Sequence, residues 1–196
     1  GWTGYSKAEW IGPLVQSGVS CLAVEEDFTR NVEQIGFLSF RPGLEGFVKR
    51  DAWFGIKPRP QSGPIRQLRM KGQLEYTTEQ DQRDRFPALA SGALAIRSTK
   101  LIAGAEFHSA DDIELTYERR LERLRTALAI LSDVEVPAGS YAFDQFTASF
   151  YSSPSRPLYG KGAHTFGGLF AGRVSAPIFH ATVADVTFKP NRHLLL

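Results

Sequence analysis

An antiparallel all-β fold is predicted by three features of this 196-residue sequence. The last third alternates aromatic with small residues between Gly and Pro, in Val136-Pro-Ala-Gly-Ser-Tyr-Ala-Phe143, Ser153-Pro-Ser-Arg-Pro-Leu-Tyr159 and Gly167-Gly-Leu-Phe-Ala-Gly-Arg173. That is the pattern of consecutive strands separated by turns. Residues 65–78 place Leu68, Met70, Gly72, Leu74 and Tyr76 on one side, with Gln67, Arg69, Lys71, Gln73 and Glu75 on the other. Such a strand has one apolar and one polar face. Finally, no run of about twenty apolar residues is present, which excludes a transmembrane helix but not a membrane barrel, whose strands are short.

Taken in order, residues 2–10 read as a strand with Trp2, Tyr5 and Trp10 along it, and Gly12-Pro13 as a turn. Residues 18–24 form a second strand closed by Glu25, Glu26 and Asp27. Residues 35–40 and 44–54 bracket Arg41-Pro42-Gly43, a hairpin turn by composition. Pro58, Pro60 and Pro64 interrupt any regular element before the strand at 65–78. Residues 79–85 are a charged connection, and 92–107 supply one long strand or two. Segment 112–131 carries two signals. Ile113, Leu115 and Tyr117 alternate like a strand, whereas Tyr117, Leu121, Leu124, Leu128 and Leu131 are spaced four and three apart. The second pattern predicts one short helix near 118–131 with Glu and Arg outward. Strands return at 140–151, 165–175 and 178–188, with another starting at His193.

A closed barrel and a two-layer sandwich both accommodate these elements. In 145–151, Phe146, Ala148 and Phe150 alternate with Gln145, Thr147, Ser149 and Tyr151. A membrane barrel, apolar toward lipid and polar toward its lumen, has this alternation, and so does a soluble sheet with one face on a core. The net charge of +2 comes from basic residues interspersed with acidic ones, which argues against nucleic acid as a partner. The single cysteine, Cys21, excludes an intrachain disulfide and paired-cysteine zinc sites, and reads as a small buried residue. The chain starts at Gly1 and ends on the apolar run His193-Leu-Leu-Leu196. We expect 1–196 to be a single domain, a fragment of a larger barrel domain truncated at both ends.

No catalytic, cofactor-binding or metal-binding residue is assigned from the sequence, and no cofactor is expected. His108, His164, His180 and His193 show no ligand spacing on a helix, though strands can bring distant residues together. Gly139-Ser140-Tyr141 lacks the second glycine of a nucleophile elbow. Gly160-Lys-Gly-Ala-His-Thr165 fails the dinucleotide fingerprint and reads as a hairpin loop. Asp111-Asp112 and Glu25-Glu26-Asp27 are carboxylate clusters of the kind glycosidases use, but both fall at expected strand ends, where solvated carboxylates are common. The arginine-rich run 119–125 suits lipopolysaccharide or a polyanionic sugar, and equally an exposed helix or a charge ladder in a barrel lumen. Trp2, Trp10 and Trp53 suit interfacial girdles, sugar-stacking platforms or core packing.

Five motifs in order carry a family likeness: Phe28-Thr-Arg-Asn-Val-Glu-Gln-Ile-Gly-Phe37, Val136-Pro-Ala-Gly-Ser-Tyr141, Ser155-Arg-Pro-Leu158, Gly168-Leu-Phe-Ala-Gly172 and Lys189-Pro-Asn-Arg-His-Leu194. Through them residues 28–196 resemble the C-terminal β-barrel-like domain, of unknown function, of bacterial proteins that carry a family 9 carbohydrate-binding module. In the first motif Thr29 and Val32 replace an Asn and a Pro, and Phe40 separates Gly36-Phe37 from Arg41. The resemblance implies an outer-membrane antiparallel barrel of a Gram-negative bacterium. Its partners would be outer-membrane lipid and polysaccharide bound through a missing N-terminal module. The expected function is anchoring or exporting a carbohydrate-binding protein, non-catalytic in this segment. The alternative is a periplasmic or secreted β-sandwich hydrolase, or a sugar-binding module acting on polysaccharide.

Overall fold

A computed structural model of the chain describes residues 2–25, 46–79, 93–131, 134–168 and 179–189. The fold is all-β. Nine strands form one antiparallel sheet in the order β1 (Thr3–Ile11), β2 (Val15–Val24), β3 (Phe47–Ile56), β4 (Ile65–Glu79), β5 (Leu94–Phe107), β6 (Asp112–Leu124), β9 (Gly139–Tyr151), β10 (Leu158–Gly167) and β11 (Phe179–Phe188). Between β6 and β9 a ribbon of β7 (Leu128–Leu131) and β8 (Val134–Val136) forms a separate two-stranded sheet. The nine-stranded sheet is a simple meander and is not closed: β1 pairs with β2 alone and β11 with β10 alone among the described residues.

The helix expected near 118–131 is not there; residues 118–124 complete β6 and 128–131 are β7. Two-sided pairing accounts for the difference. Leu124 to Asp112 pair residue by residue with β9, and Glu122 to Asp112 pair with β5, so the backbone is bonded on both edges. A period of two also sorts the charges, with Glu118, Arg120 and Glu122 on one face and Arg119 and Arg123 on the other. A helix would have mixed them. Likewise Gly160 to Thr165 are not a hairpin loop but lie inside β10, paired on both sides over most of their length. The strand expected over 165–175 ends at Gly167, Gly168 follows outside it, and residues 169–175 lie outside the described residues, as do the element expected at 35–40 and that at His193.

Connections at the two ends of the sheet differ in length. At one end they are residues 12–14, 57–64, 108–111 and 152–157; at the other they are 25–46, 80–93, 125–138 and 168–178. The buried side chains of β2 to β5 gather toward the second end, where Val24, Phe47, Val48, Thr77, Thr78 and Ile96 are all enclosed.

Register is continuous enough to follow single rows across the sheet. One row runs Trp10, Ser17, Phe54, Gly72, Leu101, Tyr117, Phe146, Phe166, His180. It begins beside a short connection in β1 and leaves beside a long one in β11, so the strands are staggered steadily in one direction.

Candidate functional site

Strand alternation divides the sheet into an apolar and a charged face, and exposure is the reverse of what a water-soluble sheet needs. Fifteen of the 21 large exposed apolar side chains among the described residues lie on the apolar face. Phe54 is 57% exposed, Leu101 56% and Leu115 61%. Three adjacent rows on this face hold no Asp, Glu, Lys or Arg. They are the row from Trp10 to His180, the row from Val15 through Met70 to Thr182, and the row from Leu68 through Ile113 to Ala184. Burial of one such side chain contributes about 1.5–3 kcal/mol, so the sheet forgoes a large stabilisation unless something apolar covers this face.

Aromatic residues thicken the far side of the band. Tyr117 and Phe146 have ring centroids 4.9 Å apart, and Phe146 stacks on Phe166 at 5.3 Å. The row ends at His180, whose Nδ1 is 3.4 Å from Nε2 of His164, while His164 Nδ1 is 2.8 Å from the Thr182 hydroxyl. Two of the four histidines are thus neighbours across β10 and β11, which their spacing in the sequence hides. The described residues contain no group of three or more side chains able to hold a metal ion.

On the opposite face the charged side chains are half-buried and answer one another across strands. Lys49 Nζ lies 2.9 Å from Glu75 and 3.9 Å from Asp51, and Ser20 donates to Asp51. Lys100 reaches Glu118 at 3.3 Å, and Ser98 donates to the same carboxylate. Arg120 Nε sits 2.5 Å from Glu122, close as an ion pair but without hydrogen-bond geometry. Arg69 forks onto Asp112, with Nη1 to Oδ2 at 2.5 Å and Nη2 to Oδ1 at 2.7 Å. To get there its guanidinium crosses β5 above Gly104, where a Cβ would stand 2.8 Å from Nη2. Only a glycine leaves that path open. Similarly the Trp53 indole lies across Gly18, its directly paired neighbour, and Lys71 Nζ sits 4.7 Å from the ring centroid.

The sequence candidates fall out as follows. Of the two carboxylate clusters, Asp112 belongs to the Arg69 fork, Asp111 to a turn, and Glu25 accepts from the Trp2 amide; Glu26 and Asp27 lie outside the described residues. Cys21 is half-buried in β2 against Ala23 and Val48. Gly139 and Ser140 begin β9 and form no nucleophile turn. The basic run 119–125 is split: Arg120 pairs with Glu118 and Glu122, Arg125 with Glu79, while Arg119 and Arg123 point to the apolar face.

Asp111 ties two short connections together. It accepts from the Ser109 hydroxyl at 2.8 Å, the Ser153 amide at 3.1 Å and Arg156 Nη2 at 2.5 Å. The Ser109 bond first, then the Ser153 bond and Arg156, favour the carboxylate and hold its pKa below the ordinary value. This clasp is therefore complete above the usual carboxylate range of about 4 and is lost as pH falls through the lower folded-state value. The protection factor of the Ser153 amide against hydrogen exchange should stay high down to about pH 4 and fall only below it. Asp111→Asn should remove that pH step.

Comparison with family models, with curated proteins and with solved structures yields no match for this chain.

Proposed function

We propose that this chain is part of an outer-membrane-type β-barrel that anchors a carbohydrate-binding protein or exports it, with no catalytic role in this segment. The observation that carries the reading is the inverted exposure: an uncharged apolar band lies on the more exposed face of the sheet, and a half-buried ladder of ion pairs lies on the other. In water that arrangement is unstable, whereas in a bilayer it is the required one. Dimensions agree. The uncharged rows cross β4 from Leu68 to Gly72, about 14 Å at ~3.4 Å per residue, and with Leu74 and Tyr76 the apolar run of this one strand reaches about 27 Å, or about 21 Å along the membrane normal at a tilt of ~40°. The connections agree too, since membrane barrels have short periplasmic turns and longer outer ones. The free edges of β1 and β11 are where pairing must continue for a ring to close.

One observation favours a second reading, a sugar-binding module: the aromatic run of half-buried Tyr117 with exposed Phe146 and Phe166. However, Phe146 and Phe166 are inclined by only 15° and stacked, so their faces meet each other rather than a ligand. The polar groups beside them are already engaged with one another, Asp144 with the Tyr117 hydroxyl and His164 with Thr182 and His180.

The test is heat modifiability of the full-length protein after fractionation of the envelope. Outer-membrane recovery, with faster gel migration unboiled than boiled, is the expected result. A water-soluble protein with no shift overturns the reading.

A further inference from the structure

The apolar face is bordered by positive charge at one end only, where the one acidic residue beside it, Asp144, is bonded to the Tyr117 hydroxyl. Arg97 stands on β5, and Arg119 and Arg123 on β6, all three exposed on the apolar face toward the long connections. Arg97 is directly opposite Leu121, so Arg119 and Arg123 are its two diagonal neighbours. Diagonal positions are about 7–8 Å apart, within reach of long side chains sharing one ligand. Every other described arginine of β4 to β6 except these three lies against a carboxylate: Arg66 with Glu106, Arg69 with Asp112, Arg120 with Glu122. Arg97, Arg119 and Arg123 have no carboxylate within ion-pair distance among the described residues. Asp144, opposite Arg119, instead accepts a 2.6 Å bond from the Tyr117 hydroxyl.

Three like charges side by side repel, and none of the three is held by a carboxylate as Arg66, Arg69 and Arg120 are, Arg119 reaching only the Tyr117 hydroxyl, which leaves their charge open to an external anion. The anion must reach them from the membrane side, because they share a face with Leu101 and Leu115. It must also combine phosphate with acyl chains, since guanidinium recognises phosphate through paired donors and the adjoining rows are apolar. We propose that Arg97, Arg119 and Arg123 form a binding site for the phosphates of lipopolysaccharide in the outer leaflet, with its acyl chains along the band below. The inference rests on the barrel reading above.

The probe is purified bisphosphorylated lipid A, added to the full-length protein in mild detergent, with binding read by native mass spectrometry. Wild type should bind it in a salt-sensitive manner, and monophosphorylated lipid A more weakly. An arginine at an anionic membrane surface contributes roughly fivefold in affinity, so the triple variant Arg97→Gln/Arg119→Gln/Arg123→Gln should lose about a hundredfold. Arg66→Gln, at the opposite end, should change nothing. Heat modifiability is measured on each variant, and should the triple variant lose it, the single variant Arg123→Gln and the phosphate dependence of wild type carry the test. Equal binding of phosphatidylglycerol, or lipid A binding that survives the triple substitution, overturns the site while leaving the barrel standing. Absence of the heat shift in wild type overturns both.

Discussion

Leu101→Arg is expected to cost about 2–4 kcal/mol of stability when the protein is folded in lipid vesicles, the penalty for arginine near a bilayer midplane. Leu101 sits halfway along β5, in the uncharged row between Gly72 and Tyr117, and is 56% exposed. On a water-facing surface the same exchange would stay within about 0.5 kcal/mol. Two residues closer to the arginine border, in the row of Arg119, Thr99→Arg should cost measurably less, because the penalty falls with distance from the midplane. Urea titration of vesicle-folded full-length protein gives both values. A flat profile between positions 99 and 101 would sink the membrane reading, because depth dependence is what lipid imposes and water does not.

Arg69→Met should be the most damaging change on the charged face, at about 1–3 kcal/mol. It strands Asp112 and leaves Glu114, 3.7 Å from the guanidinium, without its cation. The double variant Arg69→Met/Asp112→Leu should recover part of the loss, since removing both partners leaves no unpaired charge. Gly104→Leu should reproduce the single-variant defect without touching either ion, by closing the path over β5. The check is the shift in the unfolding midpoint for all three. Equal stability of Arg69→Met and wild type would mean that water, not Arg69, satisfies these carboxylates.

Much of the architecture was legible in the chain, and the limits have physical causes. The alternation in 65–78 and 145–151 gave the correct faces, because a period of two leaves no other arrangement once one face is apolar. Leucines at 121, 124, 128 and 131 spell a helix only if the segment is continuous, and the chain turns between β6 and β7 instead. The signal that could have corrected this is the charge alternation from Glu118 to Arg123, which suits a strand. Pairings such as Arg69 with Asp112, 43 residues apart, were out of reach. They depend on register between β4, β5 and β6, which no local pattern encodes. For the same reason the run 119–125 read as one basic patch, although the folded strand sends its members to opposite sides.

The steady stagger of the strands has a dimensional consequence. Trp10 lies one residue from the short-connection end of β1, whereas His180, in the same row, lies eight from that end of β11, a climb of seven residues over eight strand steps. With ~3.4 Å per residue and ~4.8 Å between strands, this is a slope of about 32°, near the range in which strands wrap cylinders. Each strand then takes up about 5.7 Å of circumference, and nine take up about 51 Å. A ring of that circumference has a backbone radius of about 8 Å, a bore that side chains such as Lys100, Glu118 and Arg120 fill by themselves. A conduit for water or polymer would therefore require further staves, and so would any closed ring, because the outer edges of β1 and β11 are unpaired among the described residues.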